Sequence, residues 1–159
     1  MQVLVLYYSK GGNTKKLAKS VADGVESAGV RAVLRNTQEI TKEDFLESAG
    51  IIAGSPVYFG TMASDLKRVV DEYVGLRLKM ENKVGAAFAT GGHHTGGKET
   101  TILSILHAML IYGMIIVGDP ICASGHYGVG CTGVPDDRAL SDGFKLGARV
   151  AELCKKLQQ

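Results

Sequence analysis

Ser9, Gly11, Gly12, Asn13 and Thr14 fall within one short stretch, VLVLYYSKGGNT from Val3 to Thr14, and their chemistry is that of anion recognition. Two glycines can turn several backbone N–H groups toward one point. Ser9, Asn13 and Thr14 add short side-chain donors. A helix starting at Asn13 would present N–H groups that have no partner inside it, at the partly positive end of its dipole. Such a turn has the means to hold a phosphate. The plainer alternative is an ordinary strand–helix turn capped by Ser or Asn. Lys10, Lys15 and Lys16 flank the turn, and solvated surface is the simplest reading of their charges.

Two further glycine-rich loops carry chemistry. The loop from Pro56 to Thr61 follows Gly54 and Ser55 and offers Tyr58 and Phe59, side chains able to lie against a planar ring, beside Gly60. The loop from Thr90 to Gly97 allows close backbone approach through Gly91, Gly92, Gly96 and Gly97. A phosphate seat, an aromatic rim and a glycine-rich wall together suit a phosphorylated planar ligand.

Other chemistries fit less well. Gly92–Glu99, GHHTGGKE, misses the nucleoside-triphosphate loop pattern because Glu99 follows Lys98 where a magnesium-binding hydroxyl is needed. No G-x-G-x-x-G follows the first apolar run, which argues against a dedicated dinucleotide domain. His93 and His94 are adjacent and in extended backbone would point apart. Cys122, His126 and Cys131 match no usual zinc spacing, so no metal is expected. A catalytic thiol at Cys122 or Cys131 has no base that the sequence can place beside it. Cys154 reads as a packing residue and His107 as a helix residue at the core margin.

These loops need elements to position them. Apolar runs predict strands at 3–8, 30–34, around Ile51–Ile52, at 83–90 and at 114–117. Helical spacing predicts helices at 13–28, 62–73, 100–110 and 136–157, the last with Ala139, Phe144, Leu146, Val150, Ala151 and Leu153 toward the core, and a short turn near Thr41–Phe45 capped by Thr41. Strand and helix alternate five times, which argues an α/β fold with a five-stranded parallel sheet and helices on both faces. In that arrangement all three glycine-rich loops open on one edge of the sheet. The segment from Cys122 to Pro135 is long and glycine-rich, a further candidate functional loop.

Composition narrows the rest. The chain has 159 residues, which suits a single domain. A net charge of +2 implies no nucleic-acid partner. No apolar run is long enough to span a bilayer, and the chain opens on a strand with no leader segment. Three dispersed cysteines suit the reduced cytoplasm better than a disulfide framework.

At its loops the chain resembles the flavodoxin-like FMN proteins, and most closely the WrbA-type NAD(P)H:quinone oxidoreductases. The matching stretches are VLYYSKGGNTKKLA, GSPVYFGTMASDLKRVVD, FATGGHHTGGKETTILSILHAMLIYGMIIVG and SGHYGVGCTG, which follow one another over nearly the whole chain. The resemblance implies a doubly wound sheet and an FMN whose phosphate lies on Ser9, Gly11, Gly12, Asn13 and Thr14, with Lys10 in the same loop. The isoalloxazine ring would lie between Pro56, Val57, Tyr58, Phe59 and Gly60 on one side and Thr90, Gly91, Gly92 and Gly97 on the other, with Tyr127 and Gly128 near its exposed side. NAD(P)H would reduce the flavin, and a quinone-like acceptor would reoxidise it. His93, His94, Tyr112 and His126 are the side chains that a proton-donating role would draw on. Tyr112 stands where family members often have histidine. The chain is shorter than many members, which carry an extra segment after strand two that helps build a tetramer; a homodimer or homotetramer is expected. Two other functions remain in view. One is a flavodoxin-type electron carrier, against which the net charge counts, since carriers are generally acidic. The other is a binding module that keeps the fold without the flavin.

Overall fold

Alternation along the first strand decides the architecture. In β1 (Gln2–Tyr7), Val3, Val5 and Tyr7 enter one buried cluster while Leu4 and Leu6 enter another. Successive side chains of a strand leave opposite faces, so a strand apolar at every position has to be covered on both. The computed structural model describes residues 1–158 and shows both covers. Helices α1 (Asn13–Ser27) and α5 (Asp137–Leu157) pack on one face. Helices α2 (Lys42–Glu47), α3 (Ser64–Glu72) and α4 (Lys98–Ile111) pack on the other.

The remaining strands are β2 (Arg31–Asn36), β3 (Gly50–Tyr58), β4 (Thr61–Met62), β5 (Val84–Gly91), β6 (Ile115–Ile116) and β7 (Val129–Thr132). The sheet runs β2-β1-β3-β5-β6, all parallel. From β1 the chain crosses to β2 on one side and returns to β3 on the other. That reversal opens a crevice at the carboxyl ends of β1 and β3. The doubly wound α/β class expected from the sequence is therefore present.

The strand count differs in detail. Five parallel positions exist, but the fifth is split. β6 pairs with Val84 and Gly85, and β7 pairs with β5 from Phe88 to Gly91 along the same edge. The chain leaves the sheet after Val117, whose N–H still reaches Gly85 O at 2.9 Å, and returns only at Val129. A seventh strand, β4, forms an antiparallel hairpin with the end of β3.

Glycines let α1 and α5 meet backbone to backbone. A Cβ on Gly24 would strike the Phe144 carbonyl, and one on Gly147 would strike that of Val21. This contact turns the Phe144 side chain outward to 40% exposure, where the spacing predicts a core residue, and Asp142 is buried instead. Thr41 and Asp44 form the expected cap of α2 as a reciprocal capping box.

Tyr112 closes α4 at the amino edge of the sheet. Its hydroxyl donates to Val70 O at 2.7 Å, and its ring lies beside Phe45. Burial, with Asp71 adding repulsion, pushes the phenol up to about 12. The candidate proton donor at Tyr112 therefore lies at the sheet edge opposite the glycine-rich loops.

Gly147→Ala should lower stability by about 1–3 kcal/mol in urea unfolding, because the added methyl has no room between two backbones. Tyr112→Phe should cost about 1 kcal/mol through the orphaned Val70 carbonyl. The neutral phenol's contribution is present below pH 10 and lost as pH rises toward about 12. Tyr112→Phe should accordingly flatten that alkaline loss, measured by unfolding at stepped pH.

Candidate active site

The first loop is built by the end of β1 and the start of α1. Gly12 caps α1 with φ at 93°, a conformation that favours glycine, and no side chain caps the helix. The Gly12 N–H donates to Ser9 Oγ at 3.1 Å, which curls the loop. The N–H groups of Lys10, Gly11, Asn13, Thr14 and Lys15 have no hydrogen-bond partner among the described residues. A Cβ on Gly11 or Gly12 would meet nothing, so the approach to these donors is clear. A phosphate monoester fits here: several unpaired donors converge at the positive end of a 15-residue helix.

Thr14 is placed differently from its neighbours. It is buried, and its hydroxyl lies 2.8 Å from that of Thr90 at the end of β5. This bond ties the first loop to the third. Ser9 is half-buried and Lys10 is exposed.

The second loop is a tight hairpin. Val57 pairs with Met62 and Tyr58 with Thr61, which leaves Phe59 and Gly60 as the two turn residues. Their φ angles are 51° and 77°, the pattern of a type I′ turn. Phe59 is entirely exposed and stands off the tip. The rim beside the sheet is instead made by Tyr58, 38% exposed, and Tyr8, with ring centroids 6.4 Å apart in an edge-on contact. Tyr8 was not legible as a site residue; the one available signal is that Tyr7 ends the buried alternation and leaves Tyr8 beyond the sheet. Partial desolvation, together with Asp65 and Tyr58, raises the Tyr8 phenol, so it remains a proton-bearing donor at neutral pH.

The third loop packs against the hairpin. A Cβ on Gly97 would stand 3.1 Å from Gly60 Cα, and one on Gly91 would stand 3.3 Å from Val57 Cγ2. Thr90 is buried beneath the loop, Gly92 faces open space, and the His93 and His94 side chains are exposed. Pro56 and Val57 are half-buried in the wall between the two loops. Lys98, read from sequence only as part of a failed nucleotide motif, is buried under the loop and donates to His94 O at 2.7 Å and Thr132 Oγ1 at 2.8 Å.

The segment between β6 and β7 borders the site. Lys98, Asp119, Ser124, His126, Tyr127 and Asp142 line a cavity of about 240 Å³ there. Tyr127 and His126 are exposed and Gly128 is buried. Asp119 and Asp142 hold the Ser124–Gly125 turn: Gly125 N–H donates to Asp119 at 2.9 Å, and Ser124 donates to Asp142. Burial would raise the Asp142 carboxyl, but Ser124 and Lys145 outweigh it and hold the group below the usual range.

Thus the structure brings together Ser9 to Thr14, Pro56 to Gly60 and Thr90 to Gly97 at one edge, with His126 and Tyr127 on the neighbouring segment. It sets Tyr112 apart from them. Cys131 is buried, and burial with Asp136 raises its thiol, so it is a poor nucleophile; Cys154 is buried in the core as expected. His107 is exposed. Among the described residues no three His, Cys, Asp or Glu side chains gather as metal ligands, and no helix is long and apolar enough to cross a membrane.

A doubly wound sheet with three backbone-lined loops at the carboxyl end of its switch point defines the flavodoxin-like class. Residues 35–128 match the family described as NADPH-dependent FMN reductase. An "NAD(P)H dehydrogenase (quinone)" of Archaeoglobus fulgidus is 35% identical, with 98% of each chain covered. The chain belongs to the NADPH-dependent FMN reductase family. Among solved structures, a flavodoxin from the domain Archaea is 27% identical with a TM-score of 0.82, over 98% of this chain and 99% of that one. A flavodoxin, WrbA-like protein from Agrobacterium tumefaciens shares the fold at 21% identity, with a TM-score of 0.83 and 98% of each chain covered. The alignment to the Archaeoglobus relative extends over 188 positions, so that protein carries residues with no counterpart in the 159 here.

Replacing Ser9 and Thr14 together by alanine should weaken FMN binding at least about 10-fold while the protein still folds, since hydrogen bonds to a charged group are each worth about 1.5–3 kcal/mol. Fluorescence titration of the apoprotein with FMN measures this, and unchanged affinity would remove both residues from the phosphate site.

Proposed function

We propose that this chain is an FMN-dependent oxidoreductase that takes two electrons from NAD(P)H and passes them to a quinone or similar small acceptor. The observation that carries the reading is the convergence of the three loops, whose free N–H groups and missing Cβ atoms let backbone approach a flat phosphorylated ligand closely. The name of the Archaeoglobus relative supports the donor and the acceptor. Bound FMN supplies the acceptance and return of hydride, so no side-chain nucleophile is required.

The chain's own groups bind and orient. Ser9, Lys10, Gly11, Gly12, Asn13 and Thr14 form the phosphate seat. Pro56, Val57, Tyr58 and Gly60 form one wall for the ring, joined by Tyr8, while Phe59 stands off the tip of the same hairpin; Thr90, Gly91, Gly92 and Gly97 form the other. Tyr127 lies toward the open side. His93, His94 and His126 are exposed at the mouth, where an imidazole can hand a proton to an acceptor gaining charge. We place the protein in the cytoplasm on its free thiols. We also read it as a homo-oligomer, because Val74, Leu78, Leu110 and Ile111 expose apolar surface on and around α3 and α4.

The second reading is an electron carrier, favoured by the likeness to an archaeal flavodoxin. Its net charge of +2 counts against that role. Steady-state oxidation of NADH and NADPH with benzoquinone separates the two. Turnover at about 1 s⁻¹ or faster supports the enzyme, given ordinary enzyme rates. Retained flavin without turnover supports the carrier. Light scattering after gel filtration reports the subunit number.

A further inference from the structure

Lys98 has an environment that phosphate and ring binding do not account for. It opens α4 yet is only 9% exposed. Its stem fills the space left by two glycines: a Cβ on Gly91 would stand 3.2 Å from Lys98 Cγ, and one on Gly130 would stand 3.5 Å from Lys98 Cβ. Its ammonium donates to His93 O at 3.2 Å, His94 O at 2.7 Å and Thr132 Oγ1 at 2.8 Å. Among the described residues it forms no ion pair with a carboxylate. A buried charge without a counter-ion is costly unless hydrogen bonds or an incoming opposite charge offset it.

The three acceptors show what the charge organises. In a trans peptide the C=O and N–H point in opposite directions, and every peptide among the described residues is trans. With the His93 and His94 carbonyls drawn down onto Lys98, the N–H groups of His94 and Thr95 face away from it. Neither has a partner among the described residues. A cation behind two aligned amides polarises both, so their outward ends become stronger donors. Such a wall favours negative charge on whatever lies against it. An isoalloxazine ring gains negative charge when it takes up two electrons at neutral pH.

We propose that Lys98 is a positioning residue that sets the Gly91–Gly97 loop as an anion-facing wall, so that the site holds reduced FMN more tightly than oxidised FMN. The proposal rests on the FMN reading given above.

The test compares FMN dissociation constants in the oxidised and dithionite-reduced states for the wild type, Lys98→Gln and Lys98→Arg. Lys98→Gln keeps a donor but removes the charge. It should leave oxidised affinity within about 3-fold and lower the preference for reduced FMN about 10-fold, which for a two-electron couple is a potential lower by ~30 mV. Lys98→Arg should restore most of the preference. A merely structural lysine would weaken both states equally, and that outcome, or an unchanged ratio, overturns the proposal. Should Lys98→Gln not fold, amide exchange in the wild type decides the matter. The His94 and Thr95 amides should slow further when bound FMN is reduced, and exchange that does not slow overturns it. A wild-type protein that binds no FMN at all would instead defeat the FMN reading itself.

Discussion

Helix α1 can hold its amino end steadily at the sheet edge because its backbone meets that of α5 with no side chain between them. Gly24 and Gly147 make that approach possible, and Gly143 leaves room for the Leu17 side chain, whose Cδ1 lies 2.9 Å from where a Cβ at Gly143 would stand. Two bonds complete the anchorage near the loop. Ser20 Oγ donates to Leu140 O at 2.5 Å, and Lys16 Nζ donates to Pro135 O at 2.9 Å. The Ser20 bond is worth only about 1 kcal/mol. The effect of both is positional: they fix the direction in which the unpaired N–H groups of the first turn point. A donor array held in place before its ligand arrives loses little entropy on binding.

The same economy runs across the three loops. Each is braced by its neighbour. Thr14 meets Thr90 through buried hydroxyls, and Gly60 meets Gly97 backbone to backbone. Ser55 Oγ accepts from Ala63 N–H at 2.8 Å and fixes the hairpin where it leaves the sheet. Bracing with side-chain hydroxyls and close glycine contacts leaves most amides of the first and third loops without a partner among the described residues; the exceptions are Gly12, which donates to Ser9 Oγ, and Gly96, which donates to His93 O. Had the loops been braced through their own amides, the site would have had fewer donors to offer a ligand.

The sequence made the sheet and the first loop legible because both are written in local terms. The apolar run that ends at Ser9, the paired glycines and the helical spacing from Asn13 each mark one physical event. Where the outcome depended on distant contacts, it was less visible. Phe59 has no local preference for a positive φ, so the hairpin that places it there was not apparent, and neither was the role of Tyr8 across from Tyr58. Lys98 reads from sequence only as part of a broken motif because its acceptors, two loop carbonyls and Thr132, come together only in three dimensions. Tyr112 entered the candidates only because it stands where relatives often carry histidine, and α4 carries it the height of the sheet away from the loops.

The divided fifth strand has a further meaning. β6 and β7 each complete their own portion of the edge of β5, and the chain between them loops out before returning. Residues added in that gap need not shift the register of any strand. Because the entropic cost of closing a loop grows only slowly, roughly 0.6 kcal/mol per doubling of length, such additions are thermodynamically cheap. The gap also carries His126 and Tyr127, which line a cavity together with Lys98 from beneath the third loop. Lengthening or shortening this one excursion would reshape that cavity while the first loop and the hairpin kept their places. The stretch that can change length at little cost is thus separate in the chain from the first loop and the hairpin.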